Sequence, residues 1–373
     1  MHGLSTFLPT TKPTFATLFA VAFCFTCCLT SEFVEAEQTS PAHSAARTNV
    51  AIENAKAANE QYSHSYYAHT TIEGLSVPDD AVSFLTLGDW GRNGHFYQKH
   101  VAKWLDIASY QLDAEFIATT GDNFYDNGIA SVDDPYWQSS YENIYHQPHL
   151  FIDWYPVLGN HDYRGNWQAQ IDYSTKSRRW EMPAQYYSKT LKLDDGSSAL
   201  LLFIDTSPLN PDYAGEAKYQ EAYSQGTSEQ LAWINAMLGQ DQYTWKVVIG
   251  HHPLYSSGKR YGKTKAIKDV LEPIFHKHSV NLYIAGHEHD LQHNQLPGDD
   301  LVHVVSGGGS EVRPVSNYDF TQFAKSTSGF VSVSVTAKNI FLNYIDHNGK
   351  TIYTHTMNKA SKASSTTTIQ DQQ

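Results

Sequence analysis

The stretch Gly121-Asp122-Asn123-Phe124-Tyr125-Asp126-Asn127-Gly128 follows a short apolar run, Phe116–Thr119. A buried strand that opens into a polar loop at its carboxyl end is the usual ligand position in a layered α/β protein. Asp122, Asn123 and Tyr125 leave that strand end together as metal-facing groups. Four other runs close in the same way: Gly88-Asp89-Trp90-Gly91, Gly159-Asn160-His161-Asp162, Gly250-His251-His252-Pro253 and Gly286-His287-Glu288-His289. One match carries little weight, because an Asp after a strand is usually a turn or cap residue. Five in one chain point to a single oxygen-and-nitrogen metal site assembled from many loops.

The 373 residues are 41% hydrophobic and 13% aromatic, ample for a packed core. The net charge of -13 provides no basic field for nucleic acid and repels an anionic substrate at long range, so a phosphate site must make its own positive potential. Residues 1–36 read as a secretory signal peptide: a weakly basic lead, an apolar run over 15–30, and small residues before the cleavage point. All three cysteines, Cys24, Cys27 and Cys28, lie in that run, so the mature chain has no disulfides. The expected address is secreted, periplasmic or vacuolar. No stable membrane association is expected after signal removal, and a monomer is favoured.

Residues 37–76 read as a polar linker or flexible arm, and 358–373 as a flexible polar tail. Between them, 77–357 form one catalytic domain. Val82–Leu87 is a covered strand leading to Asp89, and Tyr97, Val101, Trp104, Leu105 and Ala108 follow at helical spacing. Further strands at 116–119, 154–158, 199–204, 246–249 and 281–285 alternate with helical segments. Thr227 with Gln230 predicts a capping box for a helix over 228–238. The tyrosine-rich stretch 208–226 reads as a surface loop over the site. Strands at 301–305, 330–336, 339–345 and 351–355, with an Asn348-Gly349 turn, give the end of the chain an antiparallel character. The pattern is α/β, with two packed mixed sheets and helices outside.

Carboxylate, amide oxygen, imidazole and phenolate together suit iron, zinc or manganese better than calcium or magnesium. Seven candidate ligands are too many for one ion. Asp122 shared between two ions about 3.5 to 4 Å apart resolves the count. Fe(III) with a divalent ion against Asp89, Asp122 and an ionised Tyr125 leaves about +2, enough to hold an anion locally. Such a pair suits in-line attack of a metal-bound hydroxide on phosphate.

Asp89, Asp122 and Tyr125, Asn160, His251, and His287 with His289, each in the motifs quoted above, resemble the seven metal ligands of the purple acid phosphatases of the small, tartrate-resistant type, within the calcineurin-like metallophosphoesterases. Residues 165–171 and the Arg179-Trp180 pair share the likeness, which covers roughly 84–356 in the same order. The resemblance implies a four-layer α/β/β/α sandwich. It implies Fe(III) held by Asp89, Asp122, Tyr125 and His289, and a divalent Fe, Zn or Mn ion held by Asp122, Asn160, His251 and His287. It also implies that His161 touches substrate phosphate or protonates the leaving group, and that the substrate is a phosphate monoester. Asn123 and Arg260 complete the expected substrate contacts. One departure is clear: the loop where small family members carry a second substrate-facing histidine offers Arg260 and Tyr261 instead. Arg260 binds phosphate but is too basic to donate a proton. A phosphodiesterase of the same fold and a non-catalytic phosphate-binding or redox iron protein are the competing readings.

Overall fold

The computed structural model of the chain describes residues 62–76 and 78–359. Its strands are β1 Val82–Leu87, β2 Phe116–Thr119, β3 Asp153–Pro156, β4 Tyr187–Lys192, β5 Ser198–Phe203, β6 Trp245–Ile249, β7 Leu282–Ala285, β8 Leu291–Asn294, β9 Val302–Ser306, β10 Thr321–Lys325, β11 Gly329–Val335, β12 Asn339–Asp346 and β13 Thr351–Asn358. The helices are α1 His64–His69, α2 Gln98–Leu112, α3 Gln168–Asp172, α4 Gln220–Ser224, α5 Ser228–Leu238 and α6 Lys265–Lys277. Among the described residues no helix is long and apolar enough to cross a membrane.

The strands form two mixed sheets, one in the order β13-β12-β11-β1-β2-β3 and the other β10-β8-β9-β7-β6-β5-β4. Alternation along β5 shows how they are layered. Ala199, Leu201 and Phe203 join the core that both sheets share, whereas Leu200 and Leu202 join an outer core with Ile234 and Leu238 of α5 and Leu271 and Phe275 of α6. Because side chains alternate across a strand, one sheet face packs on the other sheet and its opposite face on helices. Val101, Leu105 and Ala108 of α2 cover the other side of the first sheet. The result is the expected four-layer α/β/β/α sandwich.

Three strands have no apolar signature. β4 is an edge strand with alternating exposure, and β10 is another edge. β8 reads Leu-Gln-His-Asn yet is wholly buried. Most of its polar groups find partners: Gln292 Oε1 accepts from the Ser257 N–H at 2.7 Å, Asn294 Oδ1 from the Ser257 hydroxyl at 2.9 Å, and His293 Nδ1 lies 3.0 Å from the Tyr353 hydroxyl, while His293 Nε2 is left without one. The arm reading fails for residues 62–76. Tyr67 on α1 and Ile72 are buried in the main core, and Tyr67 donates to Asp106 at 2.8 Å, so aromatic anchors outweigh the polar composition around them. Residues 1–36 and nearly all of the tail lie outside the described residues; β13 ends at Asn358.

The capping box is also corrected. Thr227 makes no side-chain cap bond, and Gln230 docks instead on Asp205, its Oε1 taking the Asp205 N–H at 2.8 Å and its Nε2 donating to the Asp205 carbonyl at 3.0 Å. Asp205 itself is fully buried and accepts from Tyr163, from Gln185 at 2.9 Å and from the Ser207 N–H at 3.1 Å. Burial outweighs these donors and pushes its carboxyl up to about 6. An acid raised in the folded state holds its proton where the unfolded chain has lost it. The stability it contributes is therefore full below the unfolded pKa near 4 and falls as pH rises through about 6, by roughly 3 kcal/mol in all. Asp205→Asn removes this contribution, so the wild-type advantage in thermal midpoint over the variant should shrink as pH rises from about 4 to above 6.

Candidate metal centre

Parallel pairing of β1, β2 and β3 in one sheet and of β5, β6, β7 and β9 in the other puts their carboxyl ends at one edge of the sandwich. The loops that leave them are laced backbone to backbone. The Asp89 N–H donates to the Gly121 carbonyl at 3.0 Å, and the Gly286 N–H to the His251 carbonyl at 2.9 Å. Such close approach leaves no room for side chains. A Cβ on Gly159 would stand 2.2 Å from the Asp122 nitrogen and 2.3 Å from its Oδ1. Asp89, Asp122 and His287 themselves adopt left-handed backbone, with φ of 58°, 50° and 68°. A non-glycine residue holds that conformation at a cost, and only because its surroundings over-determine it.

The seven candidate ligands converge, all buried to 9% exposure or less. The Tyr125 hydroxyl lies 2.7 Å from Asp89 Oδ1, 2.8 Å from Asp122 Oδ2 and 3.1 Å from His289 Nε2. On the other side, His251 Nε2 lies 3.1 Å from Asn160 Oδ1 and 3.0 Å from His287 Nδ1. Asp122 stands between the groups, with its Oδ1 3.5 Å from His251 Nε2. The Asp89 carboxylate also accepts the His287 N–H at 2.9 Å, tying the two sheets across the site.

This donor set fits cations. His251 Nδ1 donates to the Thr120 carbonyl at 2.8 Å, which leaves Nε2 with a lone pair aimed at Asn160 and His287. Asn160 Nδ2 donates to the Tyr219 hydroxyl at 3.0 Å, which turns its Oδ1 inward. Burial and then the Asp122 charge push Asp89 well above the usual carboxylate range. Burial opposes the ionised form of Asp122 too, but His251 and His161 bring it below that range. Burial, followed by repulsion from neighbouring positive groups, lowers His287 and His289. Neutral imidazoles and crowded carboxylate oxygens in a buried cluster are what transition-metal ions bind.

The structure separates the other expected residues. His161 lies at the site: its Nδ1 donates to the Asp126 carbonyl at 2.7 Å, its Nε2 is 4.0 Å from Asp122 Oδ2, and its ring sits 4.3 Å from that of Tyr125. Asn123 does not face substrate. Its side chain is fully buried, accepting from Thr119 at 2.7 Å and donating to the Val157 carbonyl at 2.9 Å and to Gln170 at 3.0 Å, so it braces the loop from beneath. His252 is not a ligand either, although it adjoins His251 and His287. Its nitrogens are taken by the Thr206 hydroxyl at 2.8 Å and the Tyr213 hydroxyl at 2.5 Å. Arg260 lines a cavity of about 240 Å³ beside His287 and His252.

Several supports escaped the sequence reading. Asp162 accepts the N–H groups of Asn123, Phe124 and Gly159 between 2.8 and 3.1 Å, and so fixes two ligand loops from one carboxylate. Burial and then Asp122 raise it to about 7. Arg92 stacks 3.7 Å from the Tyr125 ring centroid and pairs with Glu311 at 2.9 Å, and Glu311 stands 3.4 Å from His289 Nδ1. The stretch 208–226 is structured, with short helical turns at Pro211–Tyr213 and Ala217–Tyr219 before α4. Its Tyr213 and Tyr219 are buried against His252 and Asn160.

The Calcineurin-like phosphoesterase family profile matches residues 82–291. Purple acid phosphatase 4 of Arabidopsis thaliana is 34% identical, over 76% of this chain and 85% of its own length. The chain belongs to the purple acid phosphatases. Membership makes it a dinuclear metallophosphoesterase of the phosphoric monoester hydrolase class. Tartrate-resistant acid phosphatase type 5 of Sus scrofa is 30% identical over 74% of this chain and 87% of that one. Among solved structures, GAP50, the anchor in the inner membrane complex of Plasmodium, superposes with a TM-score of 0.65 at 25% identity, covering 76% of this chain and 91% of that one.

Gly159→Ala tests the packing that creates this purple acid phosphatase site. Its Cβ drives against Asp122, so the bound metal should fall from about two ions per chain to about one or fewer while the far-ultraviolet dichroism stays near that of the wild type. Elemental analysis of the purified protein reads the change.

Proposed function

We propose that this chain is an exported acid phosphatase that hydrolyses phosphate monoesters. It holds Fe(III) through Asp89, Asp122, Tyr125 and His289, and a divalent Fe, Zn or Mn ion through Asp122, Asn160, His251 and His287. The observation that carries this reading is the position of Asp122 between two ligand groups drawn from both sheets. When bound, the two cations supply Lewis acidity and the positive charge that a chain of net -13 otherwise lacks.

The protein's own groups do the rest. His161, with Nδ1 tied to the Asp126 carbonyl, turns Nε2 toward the phosphoryl oxygens and holds the group in line. Burial and the Asp122 and Asp89 charges push the Tyr125 hydroxyl well above its usual range, Arg92 over its ring works against them, and Tyr219 fixes the Asn160 amide. Residues 1–36 would direct export to a periplasm, a vacuole or the exterior, where an acidic medium suits the activity.

Phosphate release from an aryl monoester and the matching diester, measured from roughly pH 4 to 8, tests this reading. The monoester should turn over with an acidic optimum and stop on metal removal; preference for the diester would overturn the assignment. His161→Asn should lower kcat about 10²- to 10³-fold with little change in thermal midpoint. Tyr125→Phe should abolish a visible tyrosinate-to-iron absorption, and a wild-type protein without such a band would refute Fe(III) at Tyr125.

A further inference from the structure

The loop after β1 runs past Asp89 into Trp90-Gly91-Arg92, and Arg92 has no part in the ligand set. Its guanidinium carbon nevertheless sits 3.7 Å from the Tyr125 ring centroid and 5.4 Å from that of Phe96. Glycine makes this approach possible. A Cβ on Gly91 would stand 1.8 Å from the Asn123 carbonyl oxygen, and the Tyr125 N–H donates to the Gly91 carbonyl at 2.9 Å. The buried Gln98 then fixes the loop, its Oε1 accepting the Arg92 N–H at 3.2 Å and the Gly94 N–H at 2.7 Å.

The fork of Arg92 is directed at carboxylates. Nη2 pairs with Glu311 Oε2 at 2.9 Å, and Nη1 lies 3.6 Å from the exposed carboxylate of Asp126. Glu311 Oε2 also stands 3.4 Å from His289 Nδ1. That nitrogen is buried without a hydrogen bond, while Nε2 of the same ring lies 3.1 Å from the Tyr125 hydroxyl. An imidazole that gives Nε2 to a cation carries its proton on Nδ1, and Glu311 is the acceptor within reach. One guanidinium and one carboxylate, themselves paired, thus address two of the groups assigned to iron: Arg92 the phenol, Glu311 the imidazole. Arg313 adds a further positive charge against Asp89 and His289.

The two groups act in opposite senses. Positive charge over the Tyr125 ring opposes the burial and carboxylate charges that raise its hydroxyl, and it draws electron density from the phenolate donor. A weaker donor leaves the ferric state less favoured. A carboxylate behind His289 makes that imidazole a stronger donor and favours the ferric state. We propose that Arg92 and Glu311 are positioning residues that together set the reduction potential of the iron held at Tyr125 and His289. This deepens the phosphatase reading and rests on its Fe(III) assignment. The couple is the addition of one electron to Fe(III); an external reductant supplies it, and no covalent bond forms or breaks. Because the pair is neutral as a whole, it tunes the ion without changing the net charge that attracts phosphate.

Redox titration of the metal-loaded protein, followed through the visible tyrosinate-to-iron band, tests this. Arg92→Gln should move the band to longer wavelength. It should also raise the ferric-to-ferrous ratio at a fixed ambient potential about tenfold, the scale of one nearby charge at an effective dielectric of about 20. Glu311→Gln should lower the same ratio about tenfold. The double variant should return to within about threefold of the wild type, since the two charges offset each other. Arg92→Lys keeps the charge but not the fork, and should fall between the wild type and Arg92→Gln. A merely structural role would change metal content or folding without opposite shifts in the ratio. Ratios within about twofold of the wild type in both single variants, or shifts of the same sign, overturn the proposal and leave the phosphatase reading intact. Should Arg92→Gln fail to retain metal, Arg92→Lys and Glu311→Gln decide by the same criterion. A metal-loaded wild type without the band overturns the Fe(III) assignment and this proposal with it.

Discussion

The burial of Asp122 is the constraint on which this structure turns. A carboxylate taken out of water costs several kcal/mol unless charge or hydrogen bonds replace its solvation. Here the His161 N–H supplies one bond, Tyr125 another, and the imidazole of His251 stands 3.5 Å away. Asp89, equally buried, is pushed well above the usual carboxylate range by burial and by the Asp122 charge, so its ionised form too awaits a positive partner. Two such groups with neutral imidazoles around them form an incomplete electrostatic arrangement that a pair of cations completes. The left-handed backbone at Asp89, Asp122 and His287 persists for a related reason, since the packed loops that present these ligands over-determine it.

That need explains the second layer of residues. Asp162, Thr120, Tyr219, Glu311 and Arg92 do not extend the ligand set; each fixes the direction or protonation of a group that belongs to it. Beneath them an aromatic cluster gives the loops a stiff floor. Trp90 packs edge-on against Phe124, Tyr145, Trp154 and Trp180, all within 6.4 Å between ring centroids. The loops after β1, β2 and β3 therefore share one support.

Much of this was legible in the sequence, for a physical reason. Strands covered on both faces must be apolar, and ligands at their ends must follow a glycine because the loops touch, so β1, β2, β6 and β7 announce themselves together with Asp89, Asp122, His251 and His287. Polarity satisfied only by tertiary contacts is invisible to that reasoning. β8 hides its Gln and Asn against Ser257 and its His against Tyr353 of β13. Asn123 looked like a ligand because it neighbours one, yet its amide is spent on Val157 and Gln170. Gln230 matched a capping pattern but serves Asp205. Tyr219 had no local signal at all, since its role exists only where residues 59 positions apart meet.

The hydrogen bond from the His287 N–H to the Asp89 carboxylate spans 198 positions and joins the two sheets at the centre of the site. Neither sheet holds a complete binding set for either ion. The amino-terminal half brings Asp89, Asp122, Tyr125 and Asn160, and the histidines arrive only once β6 and β7 are in place. By those assignments the amino-terminal half offers three of the four groups for one ion and two of the four for the other, so neither set is complete until both layers are in place. The loop-closure entropy of so distant a contact is charged against ion affinity. Metal availability would therefore govern the yield of finished protein as well as its turnover.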